Sequence, residues 1–264
     1  MSTKRISIVT ISFNQSRYLR QAIESILNQN YSNLEYIIVD PGSTDGSRKV
    51  IEEYQDQISK IIYKADSGPA EGLNNGFAEA TGEIYGYLNS DDIIYPGVLK
   101  KVNRIFSKKP NIDVISAYGD VINENNEIQK KIFSKKMNFK QYLYGNCTIV
   151  QPSSFFKSNI FKRVGGFNKN NNIAWDGELM FEFSKLNASF KVIHSYWSGF
   201  RLYNSSISGS NLYSSRFNRD ILRLQKNNNI SKPNNFIRRL NWLYSWLRNP
   251  ITLMHRLIAN ANLH

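Results

Sequence analysis

Ile84-Tyr85-Gly86-Tyr87-Leu88-Asn89-Ser90-Asp91-Asp92 begins as an apolar run and stops in an amide, a hydroxyl and two adjacent carboxylates. A short continuous apolar run closed by polar residues reads as a strand buried on both faces, the kind parallel sheets contain. The same pattern recurs upstream. Residues 6–11 predict a first buried strand, and Tyr36-Ile37-Ile38-Val39 a second that closes in Asp40-Pro41-Gly42. Residues 60–63 predict a third. Between these strands, Leu19, Ala22, Ile23, Ile26 and Leu27 recur at helical spacing; residues 43–46 open a second helix and residues 70–80 form another. Strand and helix signals that alternate in this way imply an α/β fold, Rossmann-like, with a mostly parallel central sheet flanked by helices. Three of the strands end in acidic or amide residues, and that C-terminal edge is where open α/β sheets bind ligands.

Beyond Pro96 the pattern gives a helix with Val98, Leu99, Val102, Ile105 and Phe106 on one face. A strand follows at 113–118, then a hairpin turn at 123–126, a loop-rich region to about 175, and a helix starting near Asp176. The Asn- and Pro-rich residues 227–235 read as a linker. In 236–264, Phe236, Ile237, Leu240, Leu243, Tyr244 and Leu247 share a helical face, with Arg238, Arg239 and Arg248 near its flanks and Trp242 and Trp246 at its boundary. Pro250 ends that helix before a second amphipathic stretch at 253–258. The expected organisation is one domain over 1–226, in two halves of about 1–118 and about 119–226. The linker and a basic amphipathic helical tail, 236–264, come after it.

The 264 residues carry a net charge of +13, unevenly placed. Residues 183–264 hold 12 Lys/Arg against Asp220 alone, while residues 1–182 hold 22 basic against 20 acidic. No nucleic-acid-binding motif accompanies this charge, so no nucleic-acid partner is expected. A basic amphipathic tail suits either an anionic membrane surface or packing on protein. No apolar stretch approaches the ~18 residues of a membrane span, and the opening residues are too short for a signal peptide. Cys147 is the single cysteine, which fits a reducing compartment. The expected location is therefore cytoplasmic, peripheral on the inner face of the membrane.

Adjacent carboxylates on a tight turn, such as Asp91 and Asp92, repel unless a cation or hydrogen-bond donors lie near. Mg²⁺ or Mn²⁺ prefers such oxygen ligands, with phosphate filling the remaining positions. The alternative is a solvated turn capping the next helix. Asp176 and Glu178 likewise suit a helix N-terminus through its dipole, with no chemistry implied. Asp45 and Ser43 read as residues that shape a turn.

The ordered blocks extend much further than these acids. Residues 7–15, 25–31 and 39–46, Asp66-Ser67-Gly68-Pro69, Leu73-Asn74-Asn75-Gly76, Ala80-Thr81-Gly82-Glu83 and residues 88–92 come first. Gln151-Pro152-Ser153, Val164-Gly165-Gly166-Phe167 and Trp175-Asp176-Gly177-Glu178-Leu179 follow. Together, over roughly 5–208, they resemble the large family 2 type of inverting glycosyltransferases with the GT-A fold, of the bacterial surface-polysaccharide class. The resemblance implies a nucleotide-sugar donor and a glycan or lipid-linked acceptor. It implies that Thr10 and Ser12 lie along the nucleotide, that Asp40 receives the base's ring N–H, and that Asp66 sits beside the base or ribose. Asp91 and Asp92 match the acidic pair that holds the ribose and, through Asp92, a divalent cation (Mn²⁺ or Mg²⁺) on the diphosphate. Asp176 matches the general base, and the neighbouring Trp175 is placed to stack on a sugar. The sequence departs from the family pattern twice. Asn89 stands where Asp is frequent, and Tyr203 where a late histidine is frequent, which leaves Arg201 to take over part of the charge neutralisation. Two other classes compete: a nucleotidyltransferase, disfavoured because residues 12–16 contain no glycine, and a non-catalytic relative, which would not need Asp92 and Asp176.

Overall fold

The computed structural model describes residues 3–171, 173–204, 206, 209 and 213–261. Strands β1 (Ile6–Ile11), β2 (Leu34–Val39), β3 (Lys60–Ile62) and β4 (Ile84–Asn89) lie parallel in the order β3-β2-β1-β4. Their register aligns the strand ends: Ile11 stands opposite both Val39 and Asn89, and Val39 opposite Ile62. The polar residues after each strand therefore emerge along one edge, and this alignment builds the site.

The sheet continues past β4 with mixed directions. Strands β5 (Ile93–Ile94), β6 (Val114–Ile122), β7 (Ile128–Ile132), β8 (Ser154–Lys157) and β9 (Phe190–Arg201) complete nine among the described residues. β8 joins β4 to β6 through two antiparallel pairings, β9 runs parallel to β6, and β5 closes the far side against β9. β7 folds back on β6 through the hairpin turn expected at 123–126.

Helices cover both faces. α1 (Ser16–Leu27), α2 (Ser47–Glu53) and α4 (Val98–Lys108) pack Leu19, Ile23, Ile51, Leu99 and Phe106 over Ile6, Ile8 and Tyr36. On the other face α3 (Pro69–Ala78) lays Leu73 and Phe77 over Val9, Ile37 and Tyr85. Gly76 is needed there, because a Cβ at that position would collide with the Val9 side chain. α5 (Phe139–Leu143), α6 (Ser158–Val164), α7 (Trp175–Lys185) and α8 (Tyr213–Asn227) extend this second layer.

Residues 119–175, expected to be loop-rich, thus contain β7, α5, β8 and α6. β9 carries no clear periodic signal, whereas α8, not among the expected helices, does repeat Phe217, Ile221 and Leu224 at helical spacing. α9 (Asn235–Leu247) and α10 (Pro250–Ala261) form the C-terminal helical extension, and Asn234 caps α9 by accepting the Ile237 N–H at 2.8 Å.

Candidate active site

The aligned strand ends open onto a cleft of about 620 Å³. Ile11, Ser12 and Gln15 line it from the β1 end, Asp66 and Gly68 from the β3–α3 loop, and Asn89, Ser90 and Asp91 from the turn after β4. Trp175, Arg201 and Tyr203 close it from the second half of the chain. Gln15, at the start of α1, carries no role in the sequence pattern; its place in the block 7–15 after β1 is the signal that would have found it.

Four of the expected donor-side residues sit differently from one another. Ser12 is buried at the cleft, and its hydroxyl has no hydrogen-bond partner among the described residues. Asp40 is fully buried beside it. Its Oδ1 accepts from the N–H groups of Gly42 (3.0 Å) and Ser43 (2.8 Å) and from Arg48 Nε (3.2 Å), while Oδ2 has no described partner. Asp66 accepts the Gly68 N–H at 3.0 Å; burial, with the charges of Glu71 and Asp40, raises its pKa. Thr10 does not line the cleft. Strand side chains alternate, so with Ile11 facing the cleft Thr10 turns into the opposite layer, where its hydroxyl accepts from Tyr36 at 3.0 Å. Asp45 and Ser43 do shape the turn. Asp45 accepts from the N–H groups of Ser16 and Ser47, Ser43 from that of Asn14, and against burial these bonds bring Asp45 down to about 2.

The two adjacent acids part company. Asp91 faces the cleft and accepts the Tyr203 phenol at 3.0 Å. Asp92 is 1% exposed and points beneath the turn, where Oδ1 accepts the Arg201 backbone N–H at 2.8 Å. Burial and the neighbouring Asp91 raise the Asp92 pKa well above the ordinary value. Burial also raises that of Asp91, against the Tyr203 hydrogen bond and the Arg201 charge. The cation-binding role expected of Asp92 therefore fits Asp91 instead, because only its carboxylate reaches the cleft.

Arg201 also differs from expectation. Its side chain borders the cleft, but the guanidinium donates to the Asp91 carbonyl (2.8 Å), the Asn123 carbonyl (2.7 Å) and the amide oxygens of Gln21 and Asn126. Committed in this way, it braces the acidic turn.

A divalent cation can be tested against this donor set. Asp91 offers a carboxylate at the cleft, and Asn89, which lines it too, has a buried Oδ1 without a described partner. No group of three or more His, Cys, Asp or Glu side chains suited to a metal occurs among the described residues. One or two protein oxygens completed by phosphate and water is how Mg²⁺ is ordinarily held, so the residues fit.

Asp176 lies in a smaller adjoining cleft of about 210 Å³, with Tyr87, Cys147, Thr148, Gln151 and Met180. The two clefts meet at consecutive residues, Trp175 lining the larger and Asp176 the smaller. They meet again where Asn89 Nδ2 donates to Gln151 Oε1 at 3.3 Å. Asp176 Oδ1 accepts the N–H of Gly177 at 2.7 Å, and burial raises its pKa, which makes it a stronger base than an exposed aspartate. Burial pushes the Cys147 thiol up to about 11, so it stays neutral. Trp175 is wedged between the Tyr87 and Phe167 rings at 5.6 and 5.5 Å and leaves little of itself for a sugar. Glu178 has a structural role. It is buried and takes both Arg223 nitrogens, at 3.0 and 2.5 Å.

Residues 7–210 match the sequence profile of glycosyl transferase family 2. The chain belongs to this family. An uncharacterized glycosyltransferase of Nostoc sp. is 38% identical over 126 residues, 47% of this chain and 39% of that protein. One from Rickettsia typhi is 28% identical over 197 residues, 70% of this chain and 60% of that protein. The chain thus spans well under two thirds of the length of these relatives. Among solved structures, S. aureus TarS 1-349 in complex with UDP-GlcNAc superposes with a TM-score of 0.67 at 18% identity, covering 83% of this chain and 65% of that one. Mannosyltransferase PcManGT from Pyrobaculum calidifontis, in complex with GDP-Man and Mn²⁺, gives 0.63 at 17% identity, covering 99% and 75%. These likenesses establish the GT-A fold that the sequence blocks implied.

Proposed function

We propose that this chain transfers a sugar, a hexose in the simplest case, from a nucleoside diphosphate donor to a hydroxyl of a glycan or lipid-linked acceptor, with inversion. The observation that carries this reading is the adjacency of the two clefts. One is edged by Asp66 and Asp91, with Asp40 buried at the neighbouring strand end behind Pro41, and the other holds a carboxylate of raised basicity. The unpartnered oxygens of Ser12, Asp40 and Asn89 support a polar ligand in the larger cleft, since buried polar atoms without partners are costly.

In this reading Asp40 and Asp66 accept hydrogen bonds from the base and ribose, and Ser12 lies along the nucleotide. Asp91 with the Asn89 carbonyl would hold a divalent cation, which supplies charge neutralisation for the departing diphosphate. The acceptor hydroxyl sits in the smaller cleft. Its oxygen attacks the anomeric carbon, the bond to the diphosphate oxygen breaks, and the hydroxyl proton passes to the Asp176 carboxylate. A single displacement of this kind inverts the carbon. A single cysteine in the 264 residues suits a reducing, cytoplasmic setting, and assembly of a surface polysaccharide is the process in which such a transfer belongs.

The test is a screen of UDP- and GDP-sugars with Mn²⁺ or Mg²⁺, following nucleoside diphosphate release and the anomeric proton of the product by NMR. The expected product has the configuration opposite to the donor's. Retention, or no release from any donor, overturns the reading.

A further inference from the structure

α9 and α10 touch the catalytic body through one side only. Ser245, Trp246, Asn249 and Thr252 are buried, and the last three of these lie on the turn between the two helices or next to it. Lys135 places its ammonium 3.7 Å from the Trp246 ring centre and donates to Ser245 Oγ at 3.1 Å. The Lys136 N–H donates to Asn249 Oδ1 at 2.8 Å, and the Tyr118 phenol to Thr252 Oγ1 at 3.1 Å. These contacts fix the helix pair on the back of β6 and of the irregular segment 133–138 before α5.

The opposite side of each helix is apolar and faces outward. Phe236 (68% exposed), Leu240, Leu243 and Leu247 (78% exposed) follow one another at helical spacing along α9, and Leu257 and Ile258 do so along α10. At 100° per residue, Leu240 and Leu247 point away from Ser245 and Trp246, so the stripe is turned from the protein it docks on. No described residue covers it. An outward face with this many large side chains marks an interaction surface.

Charge decides the partner. Residues 221–264 contain seven Lys/Arg and no acidic residue, and Arg238, Arg239 and Arg256 are exposed. Two copies of the chain meeting on this face would bring like charges together. An anionic bilayer instead receives the apolar stripe between its headgroups, with the half-exposed Tyr244 on the stripe and Arg239 and Arg248 at its two flanks, while Trp242 turns the other way, against Trp246. No described helix is long and apolar enough to cross a membrane, so the pair lies in the interface plane. We infer that α9 and α10 form a rigid lipid-docking face for an anionic bilayer, which holds the catalytic cleft at a fixed orientation to the membrane. This inference stands apart from the glycosyl-transfer reading.

The test is sedimentation of the full chain with vesicles of phosphatidylcholine alone and of equal parts phosphatidylcholine and phosphatidylglycerol. Wild type is expected to sediment with the anionic vesicles and to release as salt shortens the Debye length from about 30 Å at 0.01 M to about 8 Å at 0.15 M. Leu240→Asp/Leu247→Asp/Leu257→Asp should lower partitioning at least ~10-fold with an unchanged unfolding temperature. Arg239→Glu/Arg248→Glu, which leaves the apolar stripe intact, should also weaken binding to anionic vesicles. Equal binding by either variant, equal binding to neutral vesicles, or a lipid-free dimer that the triple variant dissociates overturns the inference. Nucleoside diphosphate release in solution, measured on the same variants, reports on the catalytic reading separately.

Discussion

Asp92 Oδ1 accepts the backbone N–H of Arg201 at 2.8 Å, joining the acidic turn to a strand end 109 residues later. The Arg201 guanidinium returns to the Asp91 carbonyl, so the side chain that faces the cleft is held by the one that does not. Removing the Asp92 carboxyl strands a buried N–H, which costs about 2 kcal/mol. Asp92→Ala should therefore lower the unfolding temperature measurably, while Asp91→Ala should leave it nearly unchanged and abolish cation-dependent nucleoside diphosphate binding. Calorimetry of both variants, with and without Mn²⁺, separates the two roles. An Asp91→Ala protein that still binds nucleotide only with Mn²⁺ would remove Asp91 from the cation site.

Tyr203 donates to the Asp91 carboxylate at 3.0 Å and also bonds Gln15 at 3.2 Å. A hydrogen bond to the charged form holds a carboxyl pKa down, so its loss moves the Asp91 pKa further up. Tyr203→Phe should weaken Mn²⁺-dependent nucleotide binding by ~10-fold, the scale seen when a ligand loses its orienting partner. Binding should also begin to fail at a higher pH than in wild type, because Asp91 then protonates earlier as acid is added. Titration of Mn²⁺-dependent binding from neutral pH downward reads this shift. Coincident curves for the two proteins exclude the phenol as a positioning residue.

The legible part of the fold is the part whose strands are buried on both faces. β1, β2 and β4 are apolar runs because helices cover both sides of them, and the helices between them carry clean stripes. β9 was not legible. Its Phe190-Lys191-Val192-Ile193-His194-Ser195 start is only partly buried, and its register against β6 shifts at Ala117/Tyr118 and Tyr118/Gly119, so neither a run nor an alternation survives. α8 was legible, though it is not among the expected helices: Phe217, Ile221 and Leu224 recur at helical spacing, and Ile221 and Leu224 pack on the core, beside the Arg223–Glu178 pair and Gln225 bonding the Leu143 carbonyl. In the site, the strand-end acids were legible as a group. Which of Asp91 and Asp92 faces the cleft was not, because Arg201 decides it from far along the chain. Thr10 was not legible either. The resemblance puts it with Ser12 along the nucleotide, and only the structure shows it turned to Tyr36, because the strand ends at Ile11 and Ser12 no longer follows its alternation.

Glu178 offers a stability test away from the chemistry. Burial alone would raise its pKa, but the hydrogen bonds from Arg223, Asn168 and Asn171 outweigh this and lower it. A carboxyl with a lowered folded pKa contributes stability above its unfolded pKa, and that contribution is lost as pH falls through the folded value. Arg223→Met leaves Glu178 charged and buried. Such a loss costs 3–5 kcal/mol in a fully buried pair, and about 2 kcal/mol is expected here because Arg223 is one third exposed. The difference in unfolding free energy between wild type and Arg223→Met should shrink as pH falls through the folded-state pKa values of Glu178 in the two proteins, because the unfolded chains titrate alike and cancel. A difference independent of pH assigns the loss to packing of the arginine stem.

Asp176 couples catalysis and stability with opposite signs. As a base it acts in the carboxylate form, so transfer is present above its folded pKa and lost below it. Burial raises that pKa, so the acid limb of the rate should lie above the ordinary carboxylate value of about 3.9. For stability, a raised folded pKa means that the contribution is complete below the unfolded value and lost as pH rises through the folded one. Ionised Asp176 is thus a burden on the fold at neutral pH. Asp176→Asn keeps the shape and relieves that burden, so its unfolding temperature should equal or exceed that of wild type at pH 7. Its transfer rate should fall by ~10²-fold or more, with nucleotide affinity retained and the acid limb gone from what activity remains. Rate profiles from pH 4 to 8 and thermal unfolding at both ends of that range test the two signs together. Wild-type turnover in the variant removes Asp176 from the chemistry, and a lower unfolding temperature at pH 7 removes the stability half.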